Sequence, residues 1–255
     1  MNAVVTLPFK VVIPARLNSS RLPGKVLLPI HGRPMVEHVW RVACRSQAAE
    51  VWIATDDPQV ATVARGFGAD VVMTAASHPS GTDRLAEVAV QRGWSDDTLI
   101  VNLQGDEPLM PPDLLNAAAA LLADDAGADL ATFAHPITEL QHFQNPNVVK
   151  VVRDACGRAL YFSRAAIPYW RDGGGAMPSE PGVLRHIGLY AYRVAALKQF
   201  SALPPAPLET CEALEQLRAL HHGLRIQVGL LDAPPPHGVD TQADLEAVIE
   251  WLRPR

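Results

Sequence analysis

Apolar and polar positions alternate along the chain in two different periods. Phe9 to Ala15 is a short apolar, β-branched run that stops at a loop, the pattern of a strand. Beyond the loop, Met35, Val36, Val39, Trp40 and Ala43 recur at helical spacing behind Pro34, a residue favoured in a first turn, so GRPMVEHVWRVACRSQ predicts the first helix. The alternation continues: strand Val51 to Thr55, helix Pro58 to Gly66, strand Asp70 to Met73, helix Thr82 to Gln91 and strand Thr98 to Gln104. Strands and helices in turn imply parallel βαβ units with right-handed crossovers, whose ligands bind beyond the carboxyl ends of the strands. The loops after Ala15, Thr55 and Gln104 are therefore expected to gather at one edge.

The texture changes after a helix near Asp113 to Leu122. Ala128 to Ile137, Val148 to Asp154, Ala159 to Ser163 and Leu184 to Tyr192 read as strands with no full helix between most of them, and Cys156 with Gly157 suits a hairpin turn. Asp172 to Gly182, rich in glycine and proline, reads as a flexible loop. A helix at Leu208 to His221, a strand at Arg225 to Leu230 and a last helix at Thr241 to Leu252 complete the pattern. The expectation is a single α/β domain over 1–255, a mostly parallel sheet flanked by helices, with a smaller strand-rich subregion at 128–192. That subregion would leave exposed sheet edges, which points to a homodimer interface.

Composition narrows the function classes. The 255 residues are 48% hydrophobic and 19% charged, enough for a full core. A formal charge of -5 excludes the broad basic field that a nucleic-acid polymer requires, so any phosphate recognition rests on a few local cations. Cys44, Cys156 and Cys211 are odd in number and lack CxxC spacing, which argues against a disulfide framework and for a reducing compartment. The N-terminal stretch has no basic n-region, and no segment reaches the ~18 apolar residues of a membrane span, so the chain is expected to be soluble and cytoplasmic.

Two loops carry candidate chemistry. Pro14 to Lys25 places Arg16, Arg21 and Lys25 with Ser19, Ser20 and Gly24 just after the first strand. This is equipment for a polyphosphate, although neither the dinucleotide nor the P-loop fingerprint is present, and a solvated basic loop is the plainer alternative. Asn102 to Pro108 (NLQGDEP) puts Asp106 at a strand end beside Gly105, suited to a hard cation that keeps waters and bridges to phosphate; the same turn formers suit a simple strand cap. Ser80-Gly81-Thr82 and Gly238-Val239-Asp240-Thr241 each precede a helix, where they serve equally as phosphate approach or as N-caps.

Taken together, PARLNSSRLPGK, SGTDRLAE, NLQGDEP, NPNVVKVV, ALYFSRAAIPY, RHIGLYAYR, LEQLR and GVDT occur in order over nearly the whole chain, and the set resembles the 3-deoxy-manno-octulosonate (Kdo) cytidylyltransferases, or CMP-Kdo synthetases. The resemblance implies a Rossmann-like fold and a homodimer. It also implies transfer of CMP from CTP to Kdo with release of pyrophosphate, Mg²⁺ as cofactor and a place in lipopolysaccharide biosynthesis. Carried over by position, Arg16, Ser19 and Lys25 fall in the triphosphate loop; Ser80, Gly81 and Thr82 approach the nucleotide; Asp106 and Asp240 match the metal positions. Arg16, Lys25 and Asp106 are then the catalytic set, and Gln104, Arg164, His186, Tyr190, Glu215 and Gln216 match the acid-sugar pocket. Thr210, Cys211 and Ala213 follow no family pattern.

An acid sugar needs a cation for its carboxylate and side chains that donate and accept for its hydroxyls, which Arg164, Glu215 and Gln216 supply. Glu215 and Gln216 are adjacent on a helix and do not share a face, and His186 in an alternating strand suits a core position as well as a sugar contact. No residue stands out as a dedicated general base, which leaves activation by the metal ion as the simpler route. The alternatives are a cytidylyltransferase for sialic acid or amino-Kdo, and a non-catalytic nucleotide-binding regulator on the same fold.

Overall fold

The computed structural model describes residues 8–17, 22–78, 80–178 and 182–253. In chain order the elements are β1 (Phe9–Pro14), β2 (Pro29–Ile30), β3 (Arg33–Pro34), α1 (Met35–Cys44), β4 (Glu50–Thr55), α2 (Pro58–Gly66), β5 (Asp70–Met73), α3 (Gly81–Gln91), β6 (Leu99–Asn102) and α4 (Pro112–Asp124). They continue as β7 (Leu130–Pro136), α5 (Leu140–Gln144), β8 (Lys150–Arg153), β9 (Ala159–Ser163), β10 (Leu184–Arg193), α6 (Val194–Ala202), α7 (Pro207–Glu212), α8 (Gln216–His221), β11 (Ile226–Leu230) and α9 (Gln242–Trp251). None of the described helices is long and apolar enough to cross a membrane.

The main sheet runs β11-β7-β10-β6-β1-β4-β5. β5, β4, β1 and β6 are parallel neighbours, as are β7 and β11, and β10 alone runs against both β6 and β7. This is the mostly parallel α/β sheet that the alternating pattern predicts. The apolar strands bury residues on both faces: Val11, Ile13 and Val101 pack under α1 and α4, while Val12, Ala54 and Ile100 pack under α3 and α6.

The strand-rich segment 128–192 is built into the main sheet, which β7 and β10 complete, while the β8-β9 hairpin pairs with β10 off the main path. Three features depart from the sequence reading. The single helix expected from Leu208 to His221 is two short helices, broken where Ala213 takes a left-handed φ of 49°. α5 and α6 add helices within and after that segment, and a hairpin with His31 and Gly32 both at positive φ joins β2 to β3.

Two features of the topology place the site. Reversal of β10 brings its first residues to the carboxyl ends of the parallel strands, with Tyr190 directly opposite Asn102 of β6. The β2-β3 hairpin packs Ile30 against Val239, Leu245 and Val248, so the C-terminal helix and the loop before it dock beside the first loop.

Candidate active site

The expected loops do meet. Arg16, just after β1, donates to the carbonyls of His78 and Ser80 ahead of α3. Asp56, after β4, pairs with the fully buried Arg84 of α3 at 3.2 Å, and Arg84 also donates to Thr74 beyond β5. Gly105, after β6, lies so close to the first loop that a Cβ there would come 2.8 Å from the carbonyl oxygen of Pro14. Only glycine permits that approach.

Around this junction the first of two clusters forms. The Lys25 ammonium donates to Asp106 Oδ2, to the Val239 carbonyl at 2.9 Å and to Asp240 Oδ1 at 3.3 Å. Backbone pairing supports the arrangement, since Val239 N–H donates to the Asp106 carbonyl at 2.8 Å. Asp240 does not cap the last helix: Thr241 does, accepting from Asp244 N–H while Asp244 accepts from the backbone of Thr241 and Asp240. Glu107 sits in the same fold of chain, its carboxyl pushed up to about 8 by burial and by the charges of Asp106 and Asp240. It is therefore largely protonated at neutral pH.

Those carboxylates suit a hard cation. Two aspartates and a backbone carbonyl already share one positive charge, all donors are oxygens, and no group of three His, Cys, Asp or Glu side chains closes around the spot among the described residues. Mg²⁺ binds through one or two carboxylates and keeps its other positions for water and phosphate, so the residues present fit it.

The second cluster is a cavity of about 100 Å³ at the β6-β10 junction, walled in part by Thr82, Gln104, Tyr190, Glu215 and Gln216. Among the described residues, Gln216 Nε2 is buried here with no hydrogen-bond partner, and Asn102 Oδ1, Tyr190 Oη and Glu215 Oε1 are buried beside hydroxyls that fall short of a well-formed hydrogen bond. Such atoms are costly unless something polar meets them, so the cavity is built for a ligand with hydroxyls. Burial raises the Glu215 carboxyl pKa, opposed by the nearby Ser80 and Thr82 hydroxyls, and drives the Tyr190 phenol well up.

Several assigned residues also make structural contacts. Ser80 is the N-cap of α3, accepting from Asp83 N–H at 3.2 Å, while Gly81 packs between Pro14 and Gln104. His186 lies behind the cavity, with Nε2 3.1 Å from Thr132 Oγ1 and its ring edge-on to Phe162. Burial, aided by Arg185, pushes its pKa down to about 3, so it is neutral at ordinary pH. Arg164 spends its guanidinium on the carbonyls of Glu212, Pro146 and Ala213 and holds the turn that leads to Glu215. Ser19 lies outside the described residues. Sequence reasoning missed Asn102 and Tyr192 as cavity residues. Their signals were a polar residue ending the apolar run LIVN and the second tyrosine of the period-2 series in RHIGLYAYR.

A larger groove of about 700 Å³ runs past α3 and α6, but most of its charges are paired, His78 with Glu87, Lys198 with Asp96 and Arg218 with Glu209, and Asp83 accepts from the Ser80 hydroxyl. It lacks the under-satisfied buried polar atoms of the smaller cavity.

Comparison with known proteins decides the family. The family model described as cytidylyltransferase matches residues 10–226. The chain is a cytidylyltransferase-family protein. It is 54% identical to the 3-deoxy-manno-octulosonate cytidylyltransferase of Thioalkalivibrio sulfidiphilus, over 97% of this chain and 100% of that one. It is 55% identical to the protein of the same name from Chromohalobacter salexigens, over 93% and 94%. Among solved structures, CMP:2-keto-3-deoxy-manno-octonic acid synthetase complexed with CTP superposes with a TM-score of 0.87 at 42% identity, covering 96% of this chain and 98% of that one. A cytidylyltransferase from Leptospira borgpetersenii, at 17% identity, shares the fold with a TM-score of 0.60 over 95% of this chain and 85% of that one. The cytidylyltransferase fold thus sets the Lys25 cluster and the polar cavity side by side, joined through Asn102, Gln104 and Asp106 on one strand end.

Proposed function

We propose that the chain transfers the CMP group of CTP to Kdo, with pyrophosphate leaving. The observation that carries this reading is the pairing of a cation-and-carboxylate cluster with a cavity of buried, under-satisfied polar atoms across the end of β6. It is supported by full-length relatives that bear the Kdo cytidylyltransferase name.

In this reading Arg16 and Lys25 balance charge on the triphosphate and on the departing pyrophosphate, while Ser80, Gly81 and Thr82 bring the start of α3 up to the nucleotide, with Ser19 in the same loop as Arg16. Gln104, Tyr190, Glu215 and Gln216 orient the sugar by its hydroxyls, so that the anomeric hydroxyl faces the α-phosphorus in line with the leaving group. Arg164 fixes the turn that carries Glu215, and His186 supports Tyr190 from behind, with ring centroids 5.4 Å apart. Asp106 and Asp240 would hold Mg²⁺. When bound, the ion supplies charge screening on the triphosphate and a lower pKa for the attacking hydroxyl.

We place the reaction in the cytoplasm, where CTP is available and where exposed free thiols such as Cys44, Cys156 and Cys211 persist, and in lipopolysaccharide biosynthesis, which consumes activated Kdo. A homodimer through the β8-β9 side is part of the same reading, because among the described residues β9 is hydrogen-bonded in the sheet only to β8 and carries the exposed Leu160. The deciding experiment is pyrophosphate release with the four NTPs crossed against Kdo, amino-Kdo and sialic acid. CTP with Kdo is expected to turn over fastest; equal turnover with a purine nucleotide or with sialic acid would refute the assignment.

A further inference from the structure

Lys25 is held by both carboxylates that would hold the metal ion. Its ammonium has three donors and makes three hydrogen bonds, to Asp106 Oδ2, Asp240 Oδ1 and the Val239 carbonyl. The Lys25 side chain is 13% exposed, against 27% for Asp106 and 47% for Asp240, so the pairing with Asp106 is the less screened of the two. With its donors spent here, the same ammonium cannot also bind a triphosphate. A divalent ion would have to compete with this ammonium for the same two carboxylates and would bind against its charge.

We infer that in the nucleotide-free protein Lys25 is a resident counter-ion that closes the Asp106–Asp240 site to divalent metal, and that the triphosphate opens the site by drawing Lys25 onto its own oxygens. The inference rests on the reading of Asp106 and Asp240 as the metal site. It makes Lys25 a positioning residue for the metal as well as a phosphate ligand, and it fixes an order: the metal settles with the nucleotide or after it. The device has a physical rationale. Exchange of one cation for another keeps the two aspartates compensated at every stage, so the site never holds bare, partly buried charge.

The test is direct binding of Mn²⁺ without nucleotide, read from the loss of the free-ion paramagnetic resonance signal. Lys25→Met keeps the aliphatic stem and removes the charge; it is expected to bind Mn²⁺ tighter than the unmodified protein by about tenfold or more, a factor of ten being about 1.4 kcal/mol. Lys198→Met, which removes a charge paired with the remote Asp96, should leave binding unchanged. Addition of Asp106→Asn to Lys25→Met should abolish the gain. Equal affinity in the unmodified protein and Lys25→Met overturns the counter-ion role, and if that shared affinity still depends on Asp106 the metal assignment survives alone. A gain that persists with Asp106→Asn overturns the metal assignment, and the counter-ion role with it. Should circular dichroism show Lys25→Met to be unfolded, Lys25→Gln is measured against the same outcomes.

Discussion

At the scale of single residues, the two aspartates give the sharpest test. Asp106 turns its carboxylate to Lys25, and Thr241, not Asp240, caps the last helix. Neither aspartate therefore owes its place to capping. Asp106→Asn and Asp240→Asn keep size and polarity, so each is expected to lower kcat by about tenfold or more at fixed Mg²⁺, a cost of roughly 1.4 kcal/mol. Melting temperature should hardly move, and Asp240→Asn should raise the Mg²⁺ requirement. Unchanged turnover and metal dependence in Asp240→Asn would take that residue out of the site. His186 makes a second prediction, on stability. Its folded pKa of about 3 lies below the ordinary histidine value of 6.5. Between those values the unfolded chain binds a proton that the folded chain does not, so stability is full above about pH 6.5 and falls as the pH drops, by at most about 1.4 kcal/mol per unit. His186→Gln should flatten the melting-temperature profile between about pH 6.5 and pH 4; an unaltered slope would show that His186 is not the titrating group.

At the scale of elements, the sequence periodicity revealed the parallel half of the sheet to within a residue or two. Helix α2 (Pro58–Gly66) and strand β9 (Ala159–Ser163) agree with the expected bounds. The break between α7 and α8 was not legible, because the residues around Ala213 are acceptable helix formers and the cause is tertiary. Glu212 accepts from Ser163 Oγ at 2.6 Å and from Arg164 N–H at 2.8 Å, while Arg164 binds the carbonyls on either side of the bend. These bonds outweigh the modest propensity for one more helical turn. Arg164→Ala should therefore lower melting temperature and raise the KM for Kdo together, at a cost of about 1.5 to 3 kcal/mol for lost charge-assisted bonds, with CTP binding retained. A fall in CTP affinity as large as the loss of Kdo use would contradict this. Gly105→Ala tests the other joint: the added methyl must push the Pro14 carbonyl away, and about 1 to 3 kcal/mol of strain is expected, with activity lost as the β1 and β6 loops separate. Wild-type melting and turnover would mean that the loops relax freely.

At the scale of the whole molecule, the order of motifs in the sequence named the chemistry, and the fold explains how residues distant in sequence come together. Reversal of β10 and docking of α9 against the β2-β3 hairpin were invisible to periodicity, which reports which face is buried and not which strand lies beside which. Yet they bring Tyr190 to Asn102 and Asp240 to Lys25. The same limit applies to assembly. Leu160 on β9 is 62% exposed, on a strand that pairs among the described residues only with β8. The dimer proposed above would cover this edge, since a two-fold axis lets one patch serve both partners. Light scattering is expected to give twice the 27.5 kDa chain mass over a wide concentration range. Leu160→Asp, exposed in the isolated chain, should cost little folding stability but place a charge in the contact and move the mass toward the single chain at low concentration. A single-chain mass for the unmodified protein at every concentration would refute the dimer, and a dimer indifferent to Leu160→Asp would move the interface away from β9.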